Sequence, residues 1–99
     1  MTEFSPETKE KIAELCRKNK VRELSLFGSR VRDDFRKESD YDFLVEFLPD
    51  ASIGLVEFVH IKEELENLLG NDVDLVPKSG LKRRIRQRVL SEAQNVYEG

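Results

Sequence analysis

The sequence predicts an α/β fold. Apolar residues recur at helical spacing in some segments and alternate at strand spacing in others, and the two patterns take turns along the chain. Turn and cap residues fall between them. Ser5-Pro6 opens the first helix, with serine as cap and proline at the first helical position, where its missing N–H costs nothing. Ile12, Ala13, Leu15 and Cys16 form its apolar stripe, and it should stop near Asn19. Val21 to Phe27 reads as a strand with Leu24 and Leu26 on one face. Arg30 to Phe35 reads as a short helix capped by Ser29, and Arg36 to Ser39 as a polar connection.

Tyr41 to Phe47 is the second strand. Its alternation sends Tyr41, Phe43, Val45 and Phe47 toward a core, and Asp40, Asp42, Leu44 and Glu46 to the opposite face. A turn at Leu48 to Ala51 leads to a helix from Leu55 to Leu69, ended by Gly70. Val73 to Val76 is a third strand closed by Pro77. A last helix is expected from Leu81 to about Tyr97, with Leu81, Ile85, Val89, Ala93 and Val96 in one stripe. The expected order is α-β-α-β-α-β-α, without repeats or a linker.

Ninety-nine residues suit one domain with a single modest core. No apolar run is long enough to span a membrane, and the start of the chain is too charged for a signal peptide, so a cytoplasmic protein is expected. The single cysteine, Cys16, excludes an internal disulfide and a cysteine-based zinc cluster. The net charge of −3 gives no overall attraction to nucleic acid, which is not expected as a partner.

The chemistry concentrates between Leu24 and Phe47. Gly28 lets the backbone approach a ligand closely, and Ser29 begins a helix whose free N–H groups and dipole suit a phosphate. Asp40 and Asp42, two residues apart on a strand, project from one face. Neighbouring carboxylates call for a cation between them, and Mg²⁺ is the usual one. Val73 and Leu75 flank Asp74, so it too faces away from the core, as does Asp72.

Gly28-Ser29, ten residues, then Asp40-Tyr41-Asp42, flanked by strands and followed by Val73-Asp74-Leu75-Val76, resembles the signature of polymerase-β-like nucleotidyltransferases. More narrowly the chain resembles the minimal nucleotidyltransferases, the antitoxin halves of toxin–antitoxin pairs whose toxin is a ribonuclease-like HEPN-domain protein. The likeness covers nearly the whole chain. It implies a small mixed sheet with helices packed on one side, and residues 1–99 as one minimal nucleotidyltransferase domain. It implies that Asp40, Asp42 and Asp74 are the catalytic and metal-binding residues, with two Mg²⁺ ions, and that Asp74, chosen over Asp72 on the family pattern, takes the proton from the attacking hydroxyl. Gly28, Ser29 and Arg30 would bind the nucleotide. The substrate implied is ATP, with AMP passing to a tyrosine hydroxyl of a HEPN toxin. Larger relatives carry a domain that binds their acceptor, so a partner or a second copy should complete the acceptor site here. A homo-oligomer is left open.

Other groups carry less. Arg32 cannot share a helical face with Arg30 and is a weaker phosphate ligand candidate. His60 has no ligand or triad partner in sequence, and Cys16 belongs to an apolar stripe. Lys78, Lys82, Arg83, Arg84, Arg86 and Arg88 crowd one segment, which reads as a solvated face, a protein-docking surface or an RNA contact. Two rivals to catalysis stand beside it: an antitoxin that neutralises its toxin by binding alone, and an RNA-binding module using the basic segment.

Overall fold

The computed structural model describes residues 4–27 and 41–99. Gly28, Ser29, Arg30 and Asp40, and the short helix expected over residues 30–35, lie outside the described residues. Helix α1 (Pro6–Lys18) begins where the capping logic puts it: the Ser5 hydroxyl accepts a hydrogen bond from the Thr8 N–H at 3.2 Å. At its other end Lys20 takes a left-handed conformation (φ 58°), turning the chain sharply into strand β1 (Val21–Phe27). Strand β2 (Tyr41–Phe47) leads to helix α2 (Leu55–Leu69), where the Glu57 carboxylate accepts from the Gly54 N–H at 3.1 Å. Gly70, at φ 68°, ends α2 in the left-handed region that glycine favours. Strand β3 (Val73–Pro77), a 3₁₀ turn (Lys78–Gly80), helix α3 (Arg83–Glu92) and strand β4 (Gln94–Glu98) complete the chain.

One mixed sheet runs in the order β3-β2-β1-β4. β2 pairs antiparallel with β1 and parallel with β3, while β4 pairs antiparallel with β1. The parallel pair needs a crossover, and α2 supplies it. Helices α1 and α2 pack together, with α1 also lying against β1 and β4 and α2 against β3. Between them and the sheet sit Ile12, Leu15, Cys16, Leu24, Leu26, Phe43, Val45, Ile61, Leu65 and Leu75, all buried. Phe4 closes one end of this core, its ring centroid 5.5 Å from that of Tyr41 and 6.3 Å from that of Phe43.

A bulge at Arg22 lets Val21 and Leu24 both face the core, since the pairing with β2 shifts between Val21 and Glu23. The opposite face of the sheet is not bare. Leu44 and Ser25, register partners there, are both buried.

One expectation needs correction. The last helix ends at Glu92, and residues 94–98 form β4. Ala93 turns extended (φ −67°, ψ 141°), and the freed segment satisfies the backbone edge of β1. A pairing shift opposite Leu24 and Ser25 leaves Val96 outside the register, so Val96 and Tyr97 both pack on the core. Their adjacency imitates a helical stripe. Along α2, Ile61 and Leu65 are buried, whereas Leu55 and Val56 are 79% and 80% exposed.

Burial pushes the Cys16 thiol up to about 12, with Arg17 pulling weakly the other way. A thiol reagent at pH 8 should therefore leave the native protein unmodified and label it only with denaturant. Because the folded pKa is the higher, the unfolded chain alone ionises between the ordinary thiol value of 9.0 and about 12. Cys16 should thus contribute a loss of stability as pH rises through that window, absent in Cys16→Ala, measurable by urea melts. Lys20→Gly should raise stability by about 0.5–1 kcal/mol by relieving the left-handed backbone.

Candidate active site

The parallel pairing of β2 with β3 decides which side chains meet. Its register sets Tyr41 opposite Val73, Asp42 opposite Asp74 and Phe43 opposite Leu75. The Tyr41 N–H donates to the Asp72 carbonyl at 3.0 Å, which starts the ladder one residue ahead of the acidic pair. Side chains alternate faces, so Phe43 and Leu75 go to the core while Asp42 and Asp74 stand together on the other side. Adjacent strands lie about 4.8 Å apart, which puts the two carboxylates within reach of one ion. Asp42 is half-buried and Asp74 exposed.

Carboxylates facing each other this way repel. They are hard oxygen donors, the ligand type that Mg²⁺ takes, and the donor set fits such an ion. Asp40 would stand two residues before Asp42 in the chain but lies outside the described residues, as do Gly28, Ser29 and Arg30. Asp72 is exposed and precedes β3, not opposite Asp42.

The start of β3 is held by α2. The Glu66 carboxylate accepts from the Val73 N–H at 3.1 Å and from Lys62 Nζ at 2.9 Å. The hydrogen bond from Lys62, seconded by that from the Val73 N–H, keeps the Glu66 carboxyl below its ordinary pKa. This contact sits one residue before Asp74.

Farther along the same face the sequence reading missed a cluster. Glu23 and Glu46 are register partners on β1 and β2, two like charges opposite one another. Lys78 lies between them, its Nζ 3.1 Å from Glu23 Oε1 and 3.8 Å from Glu46 Oε1, and Asn95 Nδ2 is 3.4 Å from Glu23 Oε2. The signal was parity: Asp74, Val76 and Lys78 continue one alternation past the proline that seemed to end the strand. Glu46, Pro77, Lys78, Ser79 and Arg86 line a cleft of about 380 Å³ here.

A larger depression of about 660 Å³ lies between α1 and α2, on the helix side of the sheet. Its Lys18 and Glu64 pair with each other at 2.7 Å, and among the described residues no carboxylate pair of the kind described above lines it. His60 is exposed on α2, 3.6 Å from Glu64. Cys16 is a buried core thiol. Among the described residues no helix is long and apolar enough to cross a membrane.

A four-stranded mixed sheet that sets an Asp pair on the face opposite α1 and α2 is an architecture for nucleotidyl transfer, and the chain belongs to the nucleotidyltransferase domain family, whose model matches residues 8–96. Within that family it stands with the minimal members. A solved structure described as a minimal nucleotidyltransferase is 35% identical, with a TM-score of 0.73 over 94% of this chain and 97% of that one. Protein adenylyltransferase MntA of Thermococcus cleftensis is 49% identical over 72 residues, 73% of this chain and 71% of its own length. A solved toxin–antitoxin with AMP-PNP superimposes with a TM-score of 0.74 at 25% identity, over 92% of this chain and 73% of that one.

Lys78→Met should leave Glu23 and Glu46 opposed without a cation. A stability loss of about 1 kcal/mol is expected in urea melts, mostly recovered by adding Glu46→Gln.

Proposed function

We propose that the chain is a Mg²⁺-dependent protein adenylyltransferase that transfers AMP from ATP to a tyrosine hydroxyl of a cognate HEPN-domain toxin, and so acts as its antitoxin. On this reading residues 1–99 act as one minimal nucleotidyltransferase domain. The observation that carries the proposal is the register that sets Asp42 beside Asp74. Support also comes from the relative named a protein adenylyltransferase and from the solved toxin–antitoxin with AMP-PNP.

Asp40, Asp42 and Asp74 would hold Mg²⁺, which when bound supplies positive charge against the triphosphate and the developing charge of an in-line displacement. The chain's own groups do the rest. Gly28, Ser29 and Arg30 grip the terminal phosphates and orient the α-phosphorus toward the acceptor. The tyrosine oxygen forms a bond to that phosphorus as the bond to the bridging oxygen breaks. Pyrophosphate leaves with the electron pair, and the Asp74 carboxylate takes the phenolic proton.

The test is transfer of label from ATP radiolabelled at the α-phosphate to the HEPN-domain protein, with Asp40→Asn/Asp42→Asn beside the wild type. Label on the partner should fall by at least about two to three orders of magnitude in the variant, the scale for losing groups that stabilise transition-state charge. No label with either protein, with the toxin bound and inhibited equally by both, would replace catalysis with neutralisation by binding alone. An independent readout is thermal. Mg²⁺ should raise the melting temperature of the wild type by mass action, and Asp74→Asn should abolish most of that rise.

A further inference from the structure

The reaction above leaves the basic segment unused. Six of the seventeen Lys and Arg residues lie between Lys78 and Arg88, and none of the twenty acids does, which leaves the rest of the chain strongly acidic. Every side chain from Lys82 to Arg88 is exposed, and α3 buries no residue. Ile85 is 46% and Leu90 37% exposed among these cations. Among the described residues Arg88 meets Glu92 at 3.8 Å, while Lys82, Arg83, Arg84 and Arg86 have no carboxylate within ion-pair distance.

Such a helix is poorly explained by the fold alone. Ten residues are too few for a stable isolated helix in water, and most helices are held by an apolar face buried against a core. Among the described residues α3 follows β3 and its 3₁₀ turn, precedes β4, and has no apolar face buried against the core. Resting on the adenylyltransferase reading, we infer that the outer surface of α3 docks the acceptor protein, through a patch on that partner with acidic groups around an apolar centre. The cations steer and match the acids; Ile85, one turn before the half-buried Val89 on the same helix face, supplies the apolar contact that makes a docked state last.

The surface favours a protein over RNA. No aromatic side chain lies between Lys78 and Ala93 on which a base could stack, and a long polyanion would meet the acidic remainder of the chain beyond the patch. Position also fits an acceptor. Arg86 lines the cleft that Lys78 and Glu46 share, and Lys78 follows Asp74 by four residues on the same chain. That is about 13 Å of extended strand, so a partner seated on α3 can extend a hydroxyl-bearing segment along the sheet to the carboxylates.

The experiment compares wild type, Arg83→Glu/Arg84→Glu and Ile85→Asp in direct calorimetric binding to the HEPN-domain protein without nucleotide, and then in the labelling assay. Both variants should bind at least about tenfold more weakly and need correspondingly more acceptor for half-maximal labelling, with the rate at saturating acceptor unchanged. Wild-type affinity should also fall as salt rises, which needs no variant and serves if a substitution unfolds the chain. Affinity insensitive to salt, or within about twofold of wild type for both folded variants, would overturn the docking surface, even with labelling intact. Loss of polyuridine binding with partner affinity kept would overturn it in favour of RNA. Weakened partner binding in a system where even wild type transfers no label would uphold docking and sink the catalytic reading instead.

Discussion

Everything in this chain that bears on chemistry depends on how β2 is paired. Among the described residues it is the one strand with a parallel neighbour on one side and an antiparallel neighbour on the other. Its core face carries Phe43, with no exposed surface, so sliding the strand would pull an aromatic ring out of a filled interior. The packing that fixes Phe43 opposite Leu75 therefore also fixes Asp42 opposite Asp74. Apolar burial on one face supplies the energy, and two mutually repelling carboxylates on the other spend a part of it.

That division explains why the helices gather where they do. α1 and α2 cover the face that must be dry, and the opposite face stays open enough to carry charge. Small nucleotidyltransferase domains need this asymmetry, because a triphosphate and its ion cannot be admitted through a core. Glu66 belongs to the same plan from the covered side, reaching from α2 to the backbone at which β3 begins.

Most of the fold was legible in the sequence because local signals and tertiary needs agreed. Ser5-Pro6, Gly70 and the alternation of Tyr41 to Phe47 each mark a boundary that the structure keeps. The end of the chain was not legible, since Ala93, Val96 and Tyr97 continue a helical spacing while the open edge of β1 demands a strand. A hydrogen-bonding vacancy elsewhere in the molecule leaves no trace in a local pattern. The site divides similarly. Parity placed Asp42 and Asp74 on the outer face, but that β3 lies beside β2 came from resemblance to a family, not from spacing. Lys78 escaped because Pro77 reads as a stop, although the alternation of faces passes through it. Leu44 shows the limit of parity itself: it lies on the face expected, yet is buried there.

The short turn between α2 and β3 carries an evolutionary consequence. Gly70, Asn71 and Asp72 separate a helix with Leu65 locked in the core from a strand whose first residue, Val73, is equally locked. One codon gained or lost there would exchange the faces of Val73 and Asp74 relative to β2, trading a core residue for a charge in a single event. Lineages of such chains should therefore vary more freely in length at the exposed Pro49 and Asp50 and hardly at all in these three positions. The register is a reading frame in three dimensions.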